Sequence, residues 1–436
     1  MEPGLVARQG VVGGQGILLT SQEQQLRVPL RAFVEGAYRD LDERTPQLAF
    51  AEEEYADRLM RLRKAMADAS IDTIVLTAPD SMCWLHGYQS RWYRAHSPTD
   101  WPPLQCTVVN VNSDRVIHFD VKHHAHLLRL KSVAEPRLTD AEDGEDYLAF
   151  IVAELRALGW LGTSLGMEFH SHVPNRAVSL RMSEAFEAAG CTVTDVTRVL
   201  REVRRVKSPA ELARIEEAAA ACDAGLLALQ RGLRAGMTEL DAWGILVEGM
   251  ARAGGEPAAL HESVVVGPIE LGHAYSSRRV IQDGDVVCAD PSGVVDRYHA
   301  NIERYFVVGR EPSEELRNLA AIEAEAFGIL CAAATPGTPV ASVSALLEEY
   351  LRESGLWGLH NWNGGYELGI AFPPDWVGEW HFHVGEKAND AVFVEGMVTN
   401  YESIILYPMT DTLVIGPQGG RTLSSLPLDV LRAGEQ

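Results

Sequence analysis

The stretch Val206-Lys207-Ser208-Pro209-Ala210-Glu211 marks where the chain divides. Ser208 suits a helix N-cap, because its hydroxyl can accept a backbone N–H that the first turn leaves unpaired. Pro209 fits the first helical position, where a missing N–H costs nothing, and Glu211 lies three residues after the cap, as a capping box requires. A long helix is expected from here to about Ala235, and the domain boundary is placed just before it, giving a C-terminal part over 204–436.

Downstream, Thr238–Ala253 reads as a second helix capped by Thr238. Ser263–Val266, Asp285–Ala289 and Tyr305–Val308 read as strands, Ser313–Ala334 and Val340–Ser354 as helices, and Val398–Tyr407 and Thr412–Ile415 as further strands. This order predicts an α+β domain with helices on one face of a mostly antiparallel sheet. Upstream, Tyr55, Leu59, Leu62 and Met66 recur at helical spacing, and Ile71–Thr77, Thr107–Val111, Val116–Phe119 and Leu165–Phe169 read as strands. Strands alternating with helices predict an α/β domain over 46–203. Residues 1–45 are Gly-rich and then polar, and read as an arm ordered only against a partner.

The chain has 436 residues, 46% hydrophobic and 23% charged, which is globular rather than disordered composition. No apolar run approaches the roughly 20 residues of a membrane helix. Ile17-Leu18-Leu19 is too short for a signal peptide, so a cytoplasmic protein without membrane contact is expected. A net charge of −23 disfavours nucleic acid, since both surfaces would be anionic. The six cysteines form no CxxC pair and read as small core residues.

Three segments of the C-terminal part gather polar, Gly and Pro residues: Gly267–Tyr275 with His273, Asp290–Arg304 with Asp290, Asn301 and Glu303, and Glu395–Glu402. Glu303 beside Arg304 is compatible with a plain ion pair. Glu402 falls inside a strand, where burying a carboxylate is costly unless it is paired. In order and spacing, these segments resemble the pita-bread-fold family of creatinase, prolidase, aminopeptidase P and methionine aminopeptidase. The likeness spans about 50–430. It implies an α/β creatinase-like N-terminal domain and an α+β pita-bread catalytic domain.

Metalloenzymes of that family carry two Asp, one His and two Glu around two metal ions. Here the corresponding positions hold Asp290, Asn301, Tyr366, Glu402 and Thr410. With three of five ligands replaced by neutral groups, no metal and no cofactor are expected. The remaining set resembles creatinase: His273, Glu303 in an Ile-Glu-Arg context, and Glu402. That resemblance implies a metal-independent amidinohydrolase acting on a small guanidino or amidine compound. The two glutamates would grip the cation, and His273 would move the proton.

Phe372-Pro373-Pro374-Asp375-Trp376 is similar to a segment of ectoine hydrolase, which keeps ring opening of a cyclic amidine as an alternative. An Xaa-Pro-type metallopeptidase and a catalytically silent binding protein are the others. Tyr366, Trp376, His381 and His383 are candidate substrate-binding residues, together with Arg91 and Trp92 of an aromatic- and Arg-rich loop. In creatinase a comparable loop comes from the neighbouring subunit. The resemblance therefore implies a homodimer in which one N-terminal domain completes the other subunit's site.

Overall fold

A computed structural model describes residues 21–91, 105–139, 146–162, 164–359, 362–378, 380–386 and 390–434. By contacts the chain forms two compact units, Met1–Gln47 and Leu48–Gln436. The first contains helix α1 (Ser21–Asp42). The arm expected there thus carries a helix of 22 residues, despite Pro29. Leu30, Phe33, Val34, Tyr38 and Leu41 recur at helical spacing, a period that the short run around Val34 does not show by itself.

The N-terminal half of the second unit holds α2 (Glu52–Asp68), β1 (Thr73–Leu76), α3 (Pro79–His86), β2 (Cys106–Asn110), β3 (Val116–Val121), α4 (Ala125–Lys131), β4 (Glu135–Thr139), α5 (Asp146–Ala157), β5 (Ser164–Met167), α6 (Arg176–Ala188), β6 (Thr192–Asp195) and α7 (Thr197–Arg205). Its six strands form one mixed sheet in the order β4-β3-β2-β1-β5-β6. Ile74, Val75, Leu76, Val108 and Phe119 are fully enclosed, which matches strands covered on both faces.

The C-terminal half runs α8 (Pro209–Gly232), α9 (Glu239–Arg252), β7 (Ser263–Val266), β8 (Val286–Asp290), β9 (Ser292–Val295), β10 (Tyr298–Asn301), β11 (Arg304–Val308), α10 (Glu314–Ala333), α11 (Val340–Glu353), β12 (Trp362–Tyr366), β13 (His381–His383), β14 (Val398–Ile404), β15 (Pro408–Gly416), β16 (Gly419–Thr422) and β17 (Leu431–Ala433). Two sheets result, β7-β8-β11-β17 and β13-β12-β14-β15-β16, plus the β9–β10 hairpin. Pairing is antiparallel except between β11 and β17. The expectation of helices on one face of a single sheet is corrected. Val287, Ala289 and Phe306 pack toward the α8 and α9 side chains Leu226 and Leu246, whereas Cys288, Tyr305 and Val307 pack toward Phe327 and Leu347 of α10 and α11. Alternation along β8 and β11 sends successive side chains to opposite cores.

Ser208 accepts the Glu211 N–H at 3.2 Å, and Glu211 returns an acceptor to Ser208 N at 2.8 Å, the capping box expected from the sequence. The fold gives Glu211 a second task. It is buried, and its Oε1 accepts from Trp84 Nε1 at 3.1 Å and from Tyr298 OH at 2.9 Å. One carboxylate therefore ties α3, α8 and β10 together across the two halves. The cysteines are free thiols, all buried except the half-buried Cys331. Among the described residues no helix is long and apolar enough to cross a membrane.

Candidate active site

Sheet register assembles the site. Glu402 lies opposite Thr410 in the β14–β15 pair and opposite Gly364 in the β12–β14 pair. On the far side of Thr410 the chain comes back at Glu303, which exchanges backbone hydrogen bonds with Thr410 at 3.0 and 3.2 Å. Thr410 also donates its hydroxyl to Glu303 Oε2 at 3.2 Å. Glu303 and Glu402 thus flank Thr410 from two sides, Glu303 through an isolated bridge and Glu402 through the β14–β15 ladder. Asp290 ends β8 and Asn301 ends β10, with Asn301 Nδ2 donating to Asp290 Oδ1 at 2.7 Å. Asn400 completes the chain of contacts, donating to Glu402 Oε1 at 2.9 Å and to Asn301 Oδ1 at 3.2 Å.

Arg304 is not the partner of Glu303. It is fully buried and pairs with Asp411 at 2.8 Å, while its Nη1 donates to the carbonyls of Glu303 and Thr410. The ion-pair reading of Glu303 is therefore corrected. Alternation at 303–304 sends the two side chains to opposite faces.

The three carboxyl groups share one electrostatic problem. Burial pushes Glu402 up to about 7, with Asp290 adding to the rise and Tyr366 and Asn400 opposing it. Burial pushes Asp290 up to about 6, against the Asn301 hydrogen bond and the charge of His273. Burial, then Asp290 and Glu402, hold Glu303 well above the ordinary carboxylate range. Like charges in one enclosed space cannot all ionise, so the cluster retains protons near neutrality.

Tyr366 sits on the Glu402 face of β12, and its hydroxyl accepts from Trp376 Nε1 at 3.3 Å. Trp376 is buried in the core behind it. His381 and His383 lie on one face of β13, opposite Tyr366 and Gly364, at the outer edge of the sheet. His273 follows a short 3-10 turn at Ile269–Leu271 and is exposed. Among the described residues it makes no side-chain hydrogen bond, although its charge reaches Asp290. Arg91 is exposed in the N-terminal half, and no contact described for the three carboxyls involves it. Trp92 lies outside the described residues. The amide of Asn400 was not singled out from the sequence. Its signal was there, two residues before Glu402 in a strand and so on the same face.

The residues do not fit a two-metal centre. A divalent pair needs anionic oxygens or imidazoles. Amide, phenol and alcohol groups stand at three of the five positions, and Asn301 and Asn400 donate into the two remaining carboxylates. Among the described residues no group of three or more His, Cys, Asp or Glu side chains is arranged to hold a metal ion.

The architecture is that of the pita-bread fold. The chain matches the Creatinase/Prolidase N-terminal domain over residues 58–206 and Metallopeptidase family M24 over residues 213–420. It belongs to the creatinase/prolidase/aminopeptidase P family. It is 25% identical over 397 residues to "Probable dipeptidase PepE" of Mycobacterium tuberculosis, covering 88% of this chain and 97% of that protein. It is 24% identical over 406 residues to the ectoine hydrolase of Halomonas elongata, covering 87% and 97%. The crystal structure of X-Pro aminopeptidase from Thermotoga maritima superimposes with a TM-score of 0.72 at 20% identity, over 86% of this chain and 99% of that one.

These relatives overturn the expectation of a metal-independent amidinohydrolase acting on a non-peptide C–N bond. The M24 match and the dipeptidase likeness point to peptide bonds instead. The geometry supplies a physical reason. His273, expected to move the proton, is exposed and is hydrogen-bonded to neither Glu303 nor Glu402 among the described residues.

Proposed function

We propose that the C-terminal domain is a peptidase of the Xaa-Pro class that cleaves short peptides. The observation that carries this reading is the M24 match over 213–420, supported by likeness to a dipeptidase along 97% of that protein. The chemistry assigned to the chain's own residues is proton transfer. A carboxylate of the cluster takes a proton from water as the water oxygen attacks the peptide carbonyl carbon. A protonated carboxyl gives its proton to the leaving nitrogen as the C–N bond breaks. Glu402 suits this exchange, because a group held at about 7 is populated in both forms at neutral pH. Glu303 serves as the proton reservoir beside it, and Tyr366 donates to the developing oxyanion. No step is routed through a metal, since the donor set does not fit one.

We also propose a homodimer in which the N-terminal domain of one subunit completes the site of the other. Sedimentation distinguishes a 47.8 kDa monomer from a species of twice that mass.

The test of function is amino-acid release from a panel of dipeptides, Xaa-Pro and others, with added Mn²⁺ and separately with chelator. Release is expected, reduced about 100-fold or more in Glu402→Gln. No release from any dipeptide under either condition overturns the proposal.

A further inference from the structure

One buried carboxylate closes the loop 267–276 that follows β7. Glu239, the first residue of α9, accepts from Val266 N at 2.9 Å with Oε1, and from Ser277 N at 2.9 Å and Ser277 Oγ at 2.6 Å with Oε2. The residues just before and just after the loop are thus held on the two oxygens of one side chain. Gly267 leaves β7 at φ 122°, where a side chain would be strained. Within the loop, Gly272 N donates to Ile269 O at 2.7 Å and Ala274 N to Leu271 O at 2.9 Å. Hydrogen bonds therefore fix it at both ends and through its turn.

Further tethers bring this loop to the carboxyl site. Ser263 lies opposite Asp290 in the β7–β8 pair, and its hydroxyl donates to Ala274 O at 3.2 Å. Val264 N donates to Ser276 Oγ at 2.9 Å. Residues 274–276 therefore run beside the start of β7, one strand removed from Asp290. Tyr275 lies between the two anchors. At the other end of the loop, Ile269 N donates to Leu406 O at 3.0 Å, in the turn that follows the strand of Glu402. The loop is tied beside two of the three segments that carry the carboxyls.

Leu271, Tyr275 and Leu406 are exposed, and Tyr275, at 79%, is the most exposed large apolar side chain among the described residues. Single exposed apolar residues are ordinary, but three on one braced loop and its tether, next to a polar site, mark a contact surface. The cluster itself consists of carboxyls, amides, a hydroxyl and a phenol. Such groups orient a peptide but do not select an apolar side chain. A tyrosine on a fixed backbone can make that selection cheaply, because contact stills only two side-chain torsions.

We propose that Tyr275, with Leu271 and Leu406, is a specificity-determining residue that takes a large apolar side chain at the variable position of an Xaa-Pro peptide. This deepens the peptidase reading and rests on it. Glu239 acts as the positioning residue, since it holds the loop closed. The contact is made by the ring rather than by the phenol hydroxyl.

The experiment measures kcat and KM of the full-length protein for phenylalanyl-, leucyl-, seryl- and glycyl-proline, with and without added Mn²⁺. Wild-type kcat/KM for the two apolar substrates is expected to exceed that for glycyl-proline by about tenfold or more. Tyr275→Ala should bring that ratio to within about threefold, chiefly through KM, whereas Tyr275→Phe should keep it. The side chain is exposed, so the fold is not at stake, and a thermal melt of each variant verifies this. No hydrolysis of any peptide by the wild type overturns the peptidase reading and this inference with it. Hydrolysis without apolar preference, or a preference that Tyr275→Ala leaves intact, overturns the inference alone. Loss of a dimer in Tyr275→Ala with the preference retained assigns the surface to a second copy and likewise overturns it.

Discussion

Asn301 points its side-chain amide at Asp290, Nδ2 to Oδ1, at 2.7 Å. In the metalloenzymes the sequence resembles, both positions carry carboxylates. Here a neutral donor takes the place of one of them and occupies a lone pair of the other. Asn400 does the same to Glu402.

The first prediction follows from that contact. Dialysis against chelator should leave the melting temperature unchanged, and Mn²⁺ titration should give no stoichiometric binding heat. Stabilisation by a bound ion scales with ligand excess over its dissociation constant, so a real site would show plainly in the melt. A fall of several degrees on chelation would mean that other donors hold an ion.

The second concerns pH. Glu402 rises from 4.5 to about 7 on folding, so between those values the native state binds more protons than the unfolded state. Stability from this group is fully present below 4.5 and is lost as pH rises through about 7. The loss is on the order of 3 kcal/mol. Asp290 acts in the same direction up to about 6. Urea unfolding from pH 4 to 8 should show this decline, and Glu402→Gln should flatten it. Equal slopes in the two proteins would remove the argument.

The third concerns Arg304 and Asp411, which are 0% and 1% exposed. Removing one partner leaves an uncompensated buried charge, so Asp411→Ala should cost about 3–5 kcal/mol by urea denaturation. A loss below about 1 kcal/mol would mean that the carbonyls around Arg304 suffice.

The fourth concerns Gly293 on β9. A Cβ built there would lie 1.9 Å from the Ala218 carbonyl oxygen of α8, backbone against backbone. Gly293→Ala must push the hairpin off the helix, a cost of about 1–3 kcal/mol or more. An unchanged melting temperature would show that this contact yields freely.

Much of the molecule is local and was therefore legible in the residues. The Ser208–Glu211 capping box, the Thr238 cap and the Ser263–Val266 strand form where the sequence places them. Capping and periodicity act over a few neighbouring residues. The positions of Asp290, Asn301, Glu303, Tyr366, Glu402 and Thr410 along the chain, and the family they indicate, were legible for the same reason. What they do together was not. That Glu303 faces Thr410 while Arg304 turns to Asp411, and that Asn400 joins Asn301 to Glu402, depends on strand register between segments about 100 residues apart. The protonation of the three carboxyls depends on burial and mutual distance, quantities that exist only once the sheets have packed. A cavity lined by α3, α7 and the 367–378 loop likewise draws on segments that share no local pattern.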